Sequence, residues 1–123
     1  MPNPYGAPEI SVHDVAAKQK DDSEFLLVDV REPNELELAS LPDADFINLP
    51  LSELRERRLD AIPEDIRQNK ELEVVLFCHK GLRSAQVTVF LRQQGWSNAV
   101  SMAGGIDAWA DEIDESVGKY ASM

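Results

Sequence analysis

The residues with the clearest chemical potential lie in one short stretch, residues 78–85, which reads Cys-His-Lys-Gly-Leu-Arg-Ser-Ala. Cys78 is the only cysteine of the chain, and the apolar run before it predicts that it stands at the end of a buried strand. A helix is expected to begin at about Leu82, where the first backbone N–H groups have no partner within the helix. These N–H groups, the positive end of the helix dipole and the cations Lys80 and Arg83 would all favour a thiolate. The stretch therefore predicts a nucleophilic cysteine in an anion-binding loop.

A single cysteine also has a plainer interpretation. Free cysteines are commonly buried and inert, so Cys78 alone would more often be a small apolar residue capping a strand. The strand end, Gly81, two cations and a helix start within one stretch favour the reactive interpretation. His79 is not assigned as a base, because adjacent side chains on a loop rarely face each other. With one cysteine and two distant histidines, His13 and His79, the sequence predicts no metal site.

The elements that must position this stretch alternate between strands and helices. Two unbroken apolar runs, residues 25–30 and 72–77, are typical of strands buried on both faces. Further strands are expected at 9–12, 46–49 and 99–102, and helices after residue 11, at 52–59 with Ser52 as cap, at 63–66, at 82–94 and around Trp109. Strands separated by helices pair in parallel, so we predict an α/β fold with a central parallel sheet of about five strands and helices on both faces. Ligands bind outside the carboxyl ends of such strands, which is where Cys78 is placed.

Length, composition and charge narrow the class of protein. The 123 residues are 43% hydrophobic, enough to bury a core without disulfides. We expect a loose leader over residues 1–8 and one domain over residues 9–120. A formal net charge of −11 argues against nucleic acid and anionic membranes as partners, and favours a solvated acidic surface over docking onto a basic protein. A lone cysteine, no visible signal sequence and no apolar run of membrane-spanning length predict a cytoplasmic protein.

Four stretches of the sequence share a pattern with one known family. They are Cys78-x-x-Gly81-x-Arg83-Ser84-Ala85, residues 27–33 (Leu-Val-Asp-Val-Arg-Glu-Pro), residues 41–50, and residues 104–109 (Gly-Gly-Ile-Asp-Ala-Trp). The first resembles the active-site loop of rhodaneses, and the other three resemble further rhodanese motifs in the same order. The resemblance covers residues 9–113 and implies a single rhodanese-like domain.

The resemblance also implies a sulfurtransferase mechanism. Cys78 would attack the outer sulfur of a small anionic donor such as thiosulfate and become a persulfide, which an acceptor, cyanide or a protein thiol, then discharges. Neither a metal nor an organic cofactor is needed. The implied substrate-binding residues are those of the loop, His79, Lys80, Gly81, Leu82 and Arg83. As charges on a surface loop, Lys80 and Arg83 could equally have no specific role. Asp29 and Arg31 would lie near the loop and brace it, although a supporting ion pair without chemistry is the commoner interpretation of such residues.

Loop length separates this interpretation from a related one. The spacing from Cys78 to Arg83 is Cys-x4-Arg, whereas phosphatases that resemble rhodaneses in fold have Cys-x5-Arg. The shorter loop suits a sulfur atom better than a phosphate. Phosphatase activity is therefore disfavoured.

Departures from the family pattern bear on the acceptor. Where many rhodaneses have Gly-His-Ile-Pro-Gly-Ala, residues 39–44 read Ala-Ser-Leu-Pro-Asp-Ala, so local packing and the role of that histidine are expected to differ. Residues 37–42 and 109–120 look more like rhodanese domains fused behind enzymes that adenylylate sulfur-carrier proteins. The alternatives are therefore sulfur relay to a partner in cofactor or tRNA thiolation, and a non-catalytic rhodanese binding module. Retention of Cys78 and Arg83 favours the enzyme.

Overall fold

The computed structural model of the chain describes residues 3–21, 24–41 and 46–120. The strands are β1 (Glu9–Ile10), β2 (Phe25–Asp29), β3 (Ile47–Asn48), β4 (Glu73–Phe77) and β5 (Ala99–Met102). The helices are α1 (Val12–Lys20), α2 (Pro33–Leu36), α3 (Leu51–Arg57), α4 (Glu64–Arg67), α5 (Leu82–Gln93) and α6 (Gly105–Glu112), with 3₁₀ turns at Arg58–Ala61 and Glu115–Val117. The strands form one sheet in the order β1-β5-β4-β2-β3, and each neighbouring pair is parallel.

Both faces of the sheet are covered, as the unbroken apolar runs predict. Successive side chains of a strand point to opposite faces. Accordingly, Val74 and Leu76 of β4 pack in one cluster with α3, α4 and α5, while Val75 and Phe77 pack in a second cluster with α1 and α6. The predicted five-stranded parallel sheet with helices on both faces is confirmed.

One local prediction differs from the structure. Ser52 does not cap α3, which follows Pro50 and begins at Leu51; the N–H and hydroxyl of Ser52 instead donate to the Glu32 carboxylate at 3.2 and 2.5 Å. The structure also contains α2, a short helix not predicted from the sequence, and Pro33 occupies its first turn. Proline fits there since its fixed φ is helical and its missing N–H would have no partner.

Residues 3–8 are the described part of the expected leader, and they contact the domain. The side-chain oxygen of Asn3 accepts from the N–H groups of Tyr5 and Ala7 at 3.1 and 3.0 Å, and Ala7 is buried. The carbonyl of Pro8 accepts from the N–H of Ser101 in β5 at 2.9 Å. The Asn3 bonds close a turn within the segment, and the Pro8 bond attaches the end of this expected leader to the sheet.

Residues 42–45 belong to the stretch that departs from the rhodanese pattern, and they lie outside the described residues. Residues 1–2, 22–23 and 121–123 also lie outside them. Within the described ranges, the helices are all too short or too polar to cross a membrane.

Candidate active site

Cys78 follows directly after β4, at the carboxyl end of a central strand. The residue is 1% exposed, and its Sγ accepts hydrogen bonds from the backbone N–H groups of Gly81 at 3.0 Å and Ser84 at 3.4 Å. Both donors belong to the start of α5, where N–H groups have no partner inside the helix and the helix dipole is positive. Backbone groups are therefore in place to stabilise negative charge on this sulfur.

The loop between Cys78 and α5 turns at Gly81. This residue precedes the helix with φ +100°, in the left-handed region, and a β-carbon on it would stand 3.1 Å from the backbone nitrogen of Gly104. Both the conformation and the close approach favour glycine. The turn brings the first amides of α5 over the sulfur within a short loop.

The first turn of α6 holds the same loop from the other side. The N–H of Ile106 donates to the carbonyl of Cys78 at 2.8 Å, and the N–H of Asp107 to the carbonyl of His79 at 3.1 Å. In a trans peptide the C=O and the following N–H point in opposite directions. Carbonyls turned toward α6 therefore direct the N–H groups of His79 and Lys80 away from it.

A pair of hydroxyls lies behind the nucleophile. The Cys78 thiol donates to Ser84 Oγ at 3.5 Å, and Ser84 Oγ lies 2.7 Å from Ser101 Oγ. Both serines are fully buried. They form a polar support under the sulfur at the ends of α5 and β5.

A cavity of about 390 Å³ opens over Cys78, within the size range of small-molecule sites. Its lining consists of Glu32, Glu35, Cys78, His79, Lys80, Leu82 and Arg83. Four of the five loop residues expected to bind substrate thus line it, and the fifth, Gly81, donates to the sulfur. Lys80 is exposed and has no ion pair among the described residues, and Leu82 is 54% exposed.

Arg83 is held by a carboxylate rather than left free. Its two terminal nitrogens donate to the two carboxylate oxygens of Glu35, at 2.6 and 2.8 Å. Hydrogen bonding to Arg83 lowers the pKa of Glu35 to about 2, although burial opposes the shift. The same hydrogen bonds raise the pKa of Arg83. The pair is therefore ionised, and its charges largely cancel within the cavity wall.

Asp29 and Arg31 form a fully buried ion pair, with Arg31 Nη2 2.8 Å from Asp29 Oδ2. Burial lowers the pKa of Arg31, but the hydrogen bonds and charge of Asp29 outweigh this effect and raise it overall. Arg31 Nη1 also donates to the carbonyl of Ala39 at 2.8 Å and to the hydroxyl of Tyr120 at 3.1 Å. Among the described residues the pair makes no hydrogen bond to the loop. Arg31 reaches the site through Glu35, whose carbonyl accepts from Nη1 at 3.3 Å, and through Tyr120, whose hydroxyl donates to Glu35 Oε1 at 3.1 Å.

The imidazole of His79 is buried behind the loop. Its ring stacks on Tyr120 with centroids 3.9 Å apart, and its Nε2 lies 3.0 Å from Asp107 Oδ1. That distance is short enough for an ion pair, but the two atoms do not meet hydrogen-bond geometry and have no other hydrogen-bond partner among the described residues. His79 thus lines the cavity while its side chain packs against the C-terminal segment.

The site residues that were not assigned a role from the sequence include Glu32, Glu35, Ser84, Ser101 and Tyr120. Ser84 was part of the loop motif, but its hydroxyl gave no signal of a contact with Ser101. Glu35 had a local signal, since Glu32 and Glu35 form reciprocal capping hydrogen bonds around Pro33 at the start of α2. The ion pair between Glu35 and Arg83 joins distant parts of the chain, and no local sequence signal indicates it.

The arrangement supports nucleophilic chemistry, because the sulfur of Cys78 lies at the cavity wall with the backbone amides of Gly81 and Ser84 directed at it.

Comparison with known proteins agrees with the fold and the loop. The chain belongs to the rhodanese-like domain family, whose model matches residues 11–112. A sulfurtransferase of Allochromatium vinosum is 36% identical over 102 residues, which are 83% of this chain and 87% of that protein. The human single-domain sulfurtransferase structure has a TM-score of 0.69 at 27% identity, covering 87% of this chain and 98% of that one. An adenylyltransferase and sulfurtransferase of Zea mays is 33% identical over 105 residues, 84% of this chain but 21% of that protein. The family resemblance inferred from the sequence is confirmed, and these relatives support a sulfurtransferase role.

Proposed function

We propose that the protein transfers sulfane sulfur through a persulfide on Cys78. The observation that carries the proposal is the position of its Sγ, at a cavity wall and within hydrogen-bond distance of the amides of Gly81 and Ser84. Amides aimed at one sulfur stabilise a thiolate before reaction and a persulfide anion after it. The relatives named as sulfurtransferases agree with this chemistry.

In the first step, Cys78 takes up a sulfur atom from a sulfane donor such as thiosulfate. The Cys78 thiolate attacks the outer sulfur, a new S–S bond forms, and the old S–S bond breaks with its electron pair leaving on sulfite. A nucleophilic acceptor, cyanide or a protein thiol, then attacks the outer sulfur of the persulfide and returns the thiolate. No net redox change occurs, and no cofactor enters either step.

The experiment is a thiocyanate assay with thiosulfate as donor and cyanide as acceptor. Thiocyanate should form catalytically with the natural chain and fall to the uncatalysed rate in Cys78→Ser. Lys20→Gln is a control on α1, a helix that does not line the cavity, and should retain the activity. Equal thiocyanate formation by Cys78→Ser and the natural chain would refute transfer through Cys78.

A second candidate is sulfur relay to a partner protein in cofactor or tRNA thiolation. The observation that favours it is the set of relatives in which a similar domain belongs to a larger protein, including the Zea mays adenylyltransferase and sulfurtransferase. A putative sulfur carrier protein of Bacillus subtilis is also similar, at 27% identity over 112 residues. If the protein is a sulfur relay, the Cys78 persulfide should transfer its outer sulfur slowly to cyanide and rapidly to the thiol of one partner protein. Rapid discharge to cyanide with no faster protein acceptor would favour the small-molecule enzyme.

A further inference from the structure

A groove of about 160 Å³ lies between α3 and α5, beside the cavity over the nucleophile. Its apolar part includes Leu54, Val87 and Phe90, and its polar part consists of Arg55, Arg58 and Gln86. Leu54 and Val87 are buried, Phe90 is half-buried, and both arginines are exposed. The groove thus has an apolar floor with two cations at its edge.

The groove and the cavity are lined by the same face of α5. Side chains four residues apart in a helix are neighbours on its surface. Leu82 lines the cavity, and Gln86 and Phe90 line the groove further along the same row. At a rise of 1.5 Å per residue, Phe90 lies about 12 Å along the helix from Leu82. A protein bound in the groove is therefore close enough to place a reactive group over the cavity.

The groove is positively charged on a chain of opposite net charge. The chain carries a formal charge of −11, whereas the lining of the groove contains two arginines and no carboxylate. Among the described residues the Arg58 side chain has no hydrogen bond or ion pair, and Arg55 has one hydrogen bond of 3.4 Å to Gln86. Helical spacing places Glu53 and Glu56 on the other side of α3. Both guanidinium groups are therefore free to pair with an anionic partner.

Arg58 stands in a strained backbone conformation. Its φ is +56° and its ψ is −131°, and it is the only described residue other than glycine with a positive φ. Glycine fits such a conformation without strain, whereas a side chain there costs free energy. Because the Arg58 side chain has no partner within the described residues, no internal contact offsets this cost. The cation that the strained turn holds at the groove is thus available to an external partner.

We propose, on the basis of the sulfur transfer proposed above, that this groove binds the acceptor protein through an acidic segment that carries an apolar side chain. The carboxylates of the segment pair with Arg55 and Arg58, and its apolar side chain packs on the floor of the groove. The acceptor thiolate then attacks the outer sulfur of the Cys78 persulfide and forms a new S–S bond. The bond from that sulfur to Cys78 breaks, and its electron pair returns to Cys78 as the thiolate.

Two synthetic acceptor peptides of equal length, both amidated at the carboxyl end, test this preference. Cys-Gly-Ser-Asp-Leu-Glu carries two carboxylates beside its leucine, and Cys-Gly-Ser-Asn-Leu-Gln replaces both by amides. The leucine follows the cysteine by four residues, which an extended chain spans in about 13 Å. This reach matches the distance along α5 from the cavity to the far end of the groove.

The rate of discharge is measured for each peptide after Cys78 has been loaded with thiosulfate and the free donor removed. Loss of one sulfur from the intact mass gives the second-order rate constant. At about 0.15 M salt, the acidic peptide should react roughly two- to tenfold faster than the amide peptide. The net charge of −11 alone predicts the opposite order, since it repels the acidic peptide. Equal rates, or a faster amide peptide, would overturn the proposal.

The groove variant is Arg55→Gln, Arg58→Gln, which removes both cations. The matched control is Lys20→Gln, Arg57→Gln, which removes the same charge from exposed positions that do not line the groove. The acidic-to-amide rate ratio should fall to about one in the groove variant and be retained in the control. An unchanged ratio in the groove variant, or an equal fall in the control, would overturn the proposal.

Arg58→Gly separates binding from folding. Glycine relieves the strain of the left-handed φ, so the free energy of unfolding in urea should rise. The rate with the acidic peptide should nevertheless fall, because the cation is lost. An unchanged rate would overturn the role of Arg58 in binding, whatever the stability of the variant.

Cyanide distinguishes failure of this proposal from failure of the proposed function. Discharge to cyanide should be the same in all of these variants. If thiosulfate does not load Cys78, sulfur transfer itself fails; if Cys78 loads and cyanide discharges it but the acidic peptide has no advantage, only the docking proposal is overturned. A dimer in sedimentation that dissociates in Arg55→Gln, Arg58→Gln would assign the groove to a second copy of this chain and would also overturn the proposal.

Discussion

Gly105 lies directly against the backbone of Cys78: a β-carbon on Gly105 would stand 2.4 Å from the Cys78 carbonyl oxygen. The same atom would stand 2.5 Å from the carbonyl oxygen of His79, and the φ of Gly105 is +61°. This close approach is what allows the next amide, that of Ile106, to reach the Cys78 carbonyl at 2.8 Å. The turn before α6 is therefore part of the site, because it sets the orientation of the loop amides.

Replacing Gly105 by alanine should disturb the loop and the fold together. The added methyl group meets backbone oxygens that cannot move independently, and the left-handed φ is costly for alanine. We expect a loss of about 2–4 kcal/mol in the free energy of unfolding, measured by urea denaturation, and slower loading of Cys78. The control is Gly118→Ala, where φ is +75° but nothing lies within 4 Å of the new carbon. Equal losses in the two variants would show that close packing against the loop is unimportant.

The sequence predicts the sheet because the signal for it is local. The apolar runs before Asp29 and Cys78 contain the side chains that fill both faces, so no distant partner is needed to recognise them. The sequence signals for the turn at Gly81 and for the start of α5 are local in the same way. The position of Cys78 at a strand end followed from these elements alone.

Contacts between distant residues are the part that the sequence does not reveal. Arg83 was expected among the substrate-binding residues and lines the cavity, but no periodicity or motif indicates its ion pair with Glu35. His79 lines the cavity, but nothing in the sequence indicates that its ring stacks on that of Tyr120. Ser52 is a residue type that often caps helices and lies near the start of α3, but its hydroxyl donates to the Glu32 carboxylate instead.

The Glu35–Arg83 pair should make stability depend on pH in the acid range. The folded pKa of Glu35 is about 2 against an ordinary value of 4.5, so its stabilising contribution is complete above about pH 4.5 and is lost as pH falls toward 2. The free-energy difference between the natural chain and Glu35→Gln should shrink by up to about 3 kcal/mol over that range. Urea denaturation at several pH values measures it. A difference independent of pH would contradict the lowered pKa.

The hydroxyl pair behind Cys78 should be energetically coupled. Ser84→Ala leaves the buried Ser101 Oγ without a hydrogen-bond partner among the described residues, at a cost of about 1–3 kcal/mol. The double variant Ser84→Ala, Ser101→Ala removes both partners and should cost less than the two single variants together. A double-mutant cycle measured by urea denaturation tests this. Strict additivity would mean that the two hydroxyls do not interact.

Asp29 should contribute to the stability of the fold and take no direct part in sulfur transfer. Asp29→Asn leaves the guanidinium of Arg31 buried without its counter-ion, which costs about 3–5 kcal/mol in comparable pairs. The control is Asp111→Asn, which breaks an exposed pair with Lys119 and should change the free energy of unfolding little. If Asp29→Asn is as stable as the natural chain but fails to load sulfur, Asp29 has a direct role in the reaction.

The intact mass of the protein after incubation with thiosulfate tests sulfur transfer through Cys78 most directly. The mass should rise by one sulfur atom, return to its initial value when cyanide is added, and not change in Cys78→Ser. Peptide mapping should place the added sulfur on the peptide that contains Cys78. A mass that stays constant with thiosulfate, or a gain that persists in Cys78→Ser, would contradict the account.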